Sequence, residues 1–178
     1  MALLNVKKSS ANQRAWYFYD WANSAYVTTT TTVLFGPYLT QVAKDSVACD
    51  ANEICQNLNV LGLPVAPGSL FLYVITFTTI LSALLLPVLG AYADLRPNKP
   101  KLLGRLAFIG ATAASLMFFV SGTNWALGAL LLIIGNLSLG ASLVVYDAIL
   151  CDIASADERD RVSSRGWAFG YVGGGLLL

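Results

Sequence analysis

Uncharged, mostly apolar stretches run from Trp21 to Ala43, from Ile54 to Ala93, from Leu106 to Tyr146 and from Gly166 to Leu178, and short clusters of charge separate them. A helix rising about 1.5 Å per residue needs about 20 apolar residues to cross the hydrocarbon of a bilayer. On that measure the first stretch is one crossing. The second opens with a polar segment containing Pro and Gly through Gly68, so its crossing starts at Ser69. The third has room for two, divided at Ser121-Gly122-Thr123-Asn124, a turn-forming run. The fourth is too short to reach the other side, and the chain is expected to end in mid-crossing. The pattern predicts an all-α, polytopic transmembrane helix bundle. It consists of a polar segment over 1–15, full spans over 16–42, 69–93, 103–121 and 124–147, and an incomplete span over 163–178.

Composition agrees with this reading. Of 178 residues 56% are apolar and 12% charged, where a soluble domain carries about 25% charged residues. The net charge of +1 says little; the placement of the basic residues says more. If the spans alternate sides, Lys7, Lys8, Arg14, Arg96, Lys99, Lys101, Arg105, Arg159, Arg161 and Arg165 share one face, and of the 11 basic residues Lys44 alone faces the other. Positive charge is retained in the cytoplasm on insertion, so the N-terminus is expected inside. The membrane is expected to be the cell (inner) membrane, or the vacuolar membrane in a eukaryote. The basic start resembles a signal peptide, but the apolar run is too long and lacks a small-x-small cleavage site, which makes it a retained first helix. Trp16, Tyr17, Phe18, Tyr19 and Trp21 read as an aromatic anchor at the inner interface.

The loop from Lys44 to Gly68 carries Cys49 and Cys55 on the outer side, where a disulfide can form. Two unpaired thiols fit the spacing equally well. Cys151 falls on the inner side as an ordinary free thiol.

Ionisable and amide groups inside spans are costly and mark candidate chemistry. Asp20 and Asn23 stand three residues apart on one helix face. They line a substrate or proton pathway, or Asp20 sits at headgroup depth and stabilises a helix start. Thr28 to Thr32, followed by Gly36-Pro37, should bend the first helix, because threonine hydroxyls bond back to carbonyls and proline lacks a donor. Asn136 lies near mid-membrane, where transporters place substrate, although one interhelical hydrogen bond would also explain it. Asp147 and Asp152 lie near the inner end, within reach of Arg159, Arg161 or Arg165. The run Gly90-Ala91-Tyr92-Ala93-Asp94-Leu95-Arg96-Pro97-Asn98-Lys99-Pro100-Lys101 ends the second helix. Asp94 there needs compensation at a negative helix end, and Arg96, Lys99 and Lys101 are near enough to supply it. Ser155-Ala156-Asp157-Glu158 fits a capping box. Beyond it Gly166, Gly170 and Gly174 repeat every four residues, with Gly173 beside them. This small-residue face lets another helix backbone approach closely. No nucleophile–base set, metal cluster or phosphate loop is present, and histidine is absent, so no catalysis, cofactor or nucleic-acid partner is expected.

Three segments together resemble the vacuole effluxer-like (autophagy-related permease) family of the major facilitator superfamily. They are Asp20-Trp21-Ala22-Asn23-Ser24-Ala25-Tyr26, the Gly90-to-Lys101 turn, and Ser163-Ser164-Arg165-Gly166-Trp167-Ala168-Phe169-Gly170-Tyr171-Val172-Gly173-Gly174-Gly175. The resemblance spans nearly the whole chain but under half of a typical member. It implies two six-helix bundles with a small solute bound between them, amino-acid export in fungal members, and a cytoplasmic latch that uses Asp94 with Gly90 and Arg96. The sequence departs from the general loop pattern at Leu95, where an arginine is usual, and at Pro97-Asn98, where a glycine is usual. The expected function is that of a secondary active transporter present as an N-terminal fragment. Its partners are the bilayer, a small-molecule substrate, a coupled proton and the absent C-terminal bundle. The competing reading is a non-transporting membrane assembly or regulatory module built on the glycine face.

Overall fold

The computed structural model describes residues 9–50 and 55–178, so Lys7 and Lys8 lie outside the described residues. Helices dominate: α1 (Ala11–Ala25), a π-helical segment (Tyr26–Leu34), α2 (Phe35–Asp45), α3 (Leu70–Asp94), α4 (Lys99–Leu116), α5 (Trp125–Ile153) and α6 (Arg159–Leu176). Among the described residues three helical stretches are long and apolar enough to cross a membrane: Pro67–Asp94, Lys99–Phe119 and Trp125–Ile153. The first hydrophobic run is an unbroken helix from Ala11 to Asp45 that changes hydrogen-bond register twice.

That change has a local cause. Val27 through Val33 is an uninterrupted row of β-branched residues, which lose rotamer freedom against the preceding turn of an α-helix. Shifting to i→i+5 pairing over Tyr26–Leu34 spreads the crowded side chains. The irregularity expected from the threonines thus takes the form of a widened helix. Pro37 follows as the third residue of α2.

The chain divides into two compact units, one built from the residues up to Thr29 together with Ile149–Leu178, the other from Thr30–Ala148. In the first, α1 packs along α6. A capping box starts α1: the Ser10 hydroxyl accepts from the Gln13 amide at 3.2 Å, and the Gln13 side chain accepts from the Ser10 amide at 3.1 Å. Gln13 also donates to the Ile153 carbonyl at 3.0 Å, tying the start of α1 to the end of α5. Ser10→Ala is expected to destabilise this unit by about 1 kcal/mol, read as a lower melting temperature by circular dichroism in detergent. Unchanged melting would remove the cap from the account.

Aromatic residues fasten the two helices. Tyr17 and Phe18 each place their ring centroid 5.6 Å from that of Phe169. Trp16 and Tyr17, expected at the interface with lipid, are instead buried, while Phe18 and Trp21 stay exposed. The period of the helix decides this, since one side of α1 must cover α6 and the other faces outward.

In the second unit, α2, α3, α4 and α5 surround a core that includes Phe35, Leu39, Leu70, Val74, Met117 and Leu132. Small residues set the spacing. A Cβ on Gly128 of α5 would come within 2.7 Å of Leu39, and one on Gly36 of α2 within 3.1 Å of the Phe71 ring. Before α3 the chain forms a hairpin, β1 (Leu58–Val60) against β2 (Leu63–Val65), antiparallel with Val60 opposite Leu63. Its two turn residues, Leu61 and Gly62, both have positive φ, the requirement of a tight mirror-image turn. The Asn59 side chain accepts from the Gly62 amide at 2.8 Å. The residue pattern of this segment predicts a non-helical loop and gives no sign of the hairpin. Between α4 and α5 the turn at Ser121–Asn124 is present, with Gly122 at φ 59° and the Asn124 side chain accepting from the Ser121 amide.

The start of α6 differs from its expected capping box. Ser155 precedes a 3-10 turn over Ala156–Glu158 and makes no side-chain cap bond. The Glu158 carboxylate pairs with Arg161 at 3.0 Å, so the residue that would close the box is engaged further along the helix.

Candidate functional site

Asp20 lies about two and a half turns into α1 and is half-buried. That depth removes the reading in which it caps a helix start; the first turn of α1 contains no acidic residue. A Cβ placed on Gly170 of α6 would stand 2.8 Å from the Asp20 carboxylate and 2.9 Å from the Ser24 hydroxyl. Glycine at 170 is therefore what leaves room for a carboxylate between the two helices. One turn along, a Cβ on Gly174 would meet the Thr28 hydroxyl at 2.6 Å, and one on Gly173 would overlap the Trp21 carbonyl oxygen. Gly166, Gly170, Gly173 and Gly174 are all buried, whereas Gly175 has open space in front of it. The glycine face thus meets a polar row on the first helical run: Asp20 and Ser24 of α1 and Thr28 of the π-helical segment.

Asn23 belongs to the same stretch. Its side-chain Nδ2 is buried and has no hydrogen-bond partner among the described residues, and the same holds for the Thr29 hydroxyl. Leaving a buried donor unsatisfied costs about 1–3 kcal/mol, and such groups are rare in folded proteins. Threonines in ordinary helical turns of this chain do find partners: Thr40, Thr78, Thr79 and Thr112 each donate to the carbonyl four residues back. The π-helical register takes that carbonyl out of its normal place, so the geometry that widens the helix also strands the Thr29 hydroxyl.

The other pathway candidates belong to the second unit. Asn136 is half-buried near the middle of α5, with buried Ser138 and Ser142 on the same helix. Gly110 of α4 lies against Ser138 at a projected Cβ distance of 3.3 Å, so α4 and α5 touch at this level. Asp147 is exposed near the end of α5. Of the basic residues expected within its reach, Arg161 bonds Glu158 and Arg165 donates to the Ser9 hydroxyl at 2.9 Å.

Near the turn between α3 and α4, a Cβ on Gly90 would stand 3.4 Å from Val144 of α5. Compensation of Asp94 by its neighbours is not what forms. The Arg96 guanidinium folds back one turn, donates to the Tyr92 hydroxyl and stacks 4.5 Å from the centre of its ring. Lys99 donates to the Ala148 carbonyl at 3.4 Å. Asp94 is exposed and has no ion pair among the described residues. Tyr92 was not singled out in the sequence, although its i, i+4 spacing to Arg96 was the available signal. Between α2 and the hairpin Cys49 and Cys55 are joined as a disulfide, and Cys151 is exposed and free. Among the described residues no group of His, Cys, Asp or Glu could hold a metal ion.

The chain matches the family model described as vacuole effluxer Atg22 like over residues 8–178. It is 29% identical over 169 residues to an uncharacterized MFS-type transporter, YxiO, of Bacillus subtilis, a match that covers 94% of this chain and 36% of that protein. It is 32% identical to autophagy-related protein 22-2 of Aspergillus niger across 65% of this chain and 19% of the relative. With autophagy-related protein 22 of Pyricularia oryzae the identity is 28% over 76% of this chain and 22% of the relative. The chain therefore spans about a third or less of the length of these curated relatives. No solved structure matches it.

Proposed function

We propose, since the chain belongs to the vacuole effluxer Atg22-like family, that its helices form one bundle of a secondary active transporter for a small solute, facing a second bundle across the transport path. The chain is an integral membrane protein by its family and its apolar helices. The observation that carries the functional reading is that Asn23 and Thr29, on the same helical run as Asp20, each bury a polar group with no hydrogen-bond partner among the described residues. A stable fold gains nothing from stranded donors in an apolar setting; a polar cargo that fills their hydrogen bonds gives them a purpose.

In this reading Asp20 and Asn23 of the first unit are path residues, with a carboxylate available to carry a coupled proton, and Asn136 and Asp147 of the second unit are path candidates in their own right. Asp94, exposed and without an ion pair among the described residues, takes a partner from the opposing bundle, and Gly90, Arg96, Lys99 and Lys101 shape that cytoplasmic latch. The N-terminus lies in the cytoplasm, in keeping with the one-sided basic residues. Amino acids are the first cargo to test, because the resemblance to the vacuole effluxer-like family implies amino-acid export. The complete transporter, reconstituted in liposomes, should move a subset of a radiolabelled amino-acid panel down its gradient. Flux no different from empty liposomes for every member, with the protein folded and inserted, would exclude this cargo class.

A further inference from the structure

The turn between α3 and α4 borders a half-open cavity of about 320 Å³ lined by Tyr92, Arg96, Pro97, Asn98, Lys101, Leu102 and Arg105. Its polar wall is made of cations and neutral donors, and no carboxylate lines it; Asp94, two residues before Arg96, is not part of the wall. Neither Lys101 nor Arg105 forms an ion pair among the described residues, so two of the three positive charges have no protein counter-ion there. Arg96 is held in place by the Tyr92 ring and hydroxyl, which leaves the rest of its planar fork for another acceptor. The start of α4 adds to the field. Its first turn opens at this cavity, and the N-cap residue Asn98 makes no side-chain cap bond.

We infer that this cavity binds a phosphate group, which Arg96, Lys101 and Arg105 neutralise beside the first turn of α4. The volume stands at the small end of ligand cavities, the size of a headgroup and not of a whole lipid. Apolar surface continues away from it: Leu84, Val88 and Leu95 of the α3 strip are each more than two-thirds exposed. A cationic pocket at a helix end with an apolar strip leading off matches an anionic phospholipid, with its phosphate in the pocket and an acyl chain along α3. A soluble phosphate compound shares the headgroup chemistry without needing the strip. The inference concerns the membrane-embedded chain and does not depend on what, or whether, it transports.

The test uses the full chain in nanodiscs of phosphatidylcholine doped with phosphatidylglycerol, with co-purified lipid counted by native mass spectrometry after transfer to detergent. Wild type is expected to retain phosphatidylglycerol over phosphatidylcholine. Lys101→Gln should weaken that retention about five-fold, the scale of one basic residue at an anionic surface, and the triple replacement Arg96→Gln, Lys101→Gln, Arg105→Gln about a hundred-fold. Arg105→Lys, which keeps the charge, and Lys44→Gln, at the far end of α2, should leave it intact. A parallel titration of detergent-solubilised protein with inorganic phosphate and glycerol 3-phosphate separates the sources. Saturable binding that the triple replacement abolishes, without lipid preference, assigns the site to a soluble phosphate. Equal retention of the two lipids by wild type together with no phosphate binding overturns the inference. Retention undiminished in a correctly folded triple variant does the same.

Discussion

Gly173→Leu is expected to separate α1 from α6 and to abolish a monodisperse, helical chain in detergent. A Cβ at 173 overlaps the Trp21 carbonyl oxygen and lies 2.8 Å from the carbonyl carbon. Both are backbone atoms, which cannot swing aside as a side-chain end can. Relief requires moving α1 as a whole, which uncovers the Tyr17–Phe169 and Phe18–Phe169 ring contacts as well. The loss should exceed the usual 1–3 kcal/mol of overpacking, since two backbones are in conflict. Gly175→Leu, two residues away with nothing within 4 Å, supplies the control and should melt as wild type does. Equal melting temperatures for the two variants would mean that the glycine face is not where the helices meet.

Asp20→Asn should reduce solute flux through the complete transporter by about ten-fold or more, with folding intact. The amide fills the same space against Gly170 and Ser24, so packing is preserved and the charge is removed. A hydrogen bond to a charged group contributes about 1.5–3 kcal/mol, and about 1.4 kcal/mol is a factor of ten. If the carboxylate carries the coupled proton, the response of flux to an imposed pH gradient disappears in the same variant. Asn23→Ala should weaken cargo binding while stabilising the empty protein, because it deletes a buried donor that has no partner among the described residues. Wild-type flux and pH response in Asp20→Asn, and in Asn136→Ala alongside it, would remove both residues from the path.

The helical architecture was readable because the hydrophobic runs are long and the charges interrupt them at loops, a signal that survives without any knowledge of packing. The Ser121–Asn124 turn was readable for the same reason, since its residues favour that backbone locally. What escaped depended on partners distant in sequence or on small local choices. Whether Trp16 faces lipid or protein is decided by α6, which starts more than a hundred residues later. Arg96 could pair with Asp94 or stack on Tyr92, and the fold-back of one helical turn favours the ring. The hairpin was hidden by its turn, where Leu61 occupies a positive φ usually left to Asn or Asp. The Ser10–Gln13 box escaped notice although its spacing is as regular as the one at Ser155, where the side chain makes no cap bond. At the site, Asp20, Asn23 and the glycine face were legible as residues. Their juxtaposition was not, because the period of α6 fixes which residues are small and leaves open what they are small for.

A Cys49–Cys55 bond can report which compartment the loop before α3 has visited. Reducing buffers in the cytosol keep thiols apart, so finding the Cys49–Cys55 pair closed in protein taken from cells would show that the loop between α2 and the hairpin had been carried across the bilayer. Cys151, exposed and single, belongs to the loop on the opposite side if the spans alternate. The three cysteines therefore encode sidedness chemically: an alkylating reagent applied to denatured, unreduced protein should find one sulfur when insertion followed the basic residues, and three when it did not.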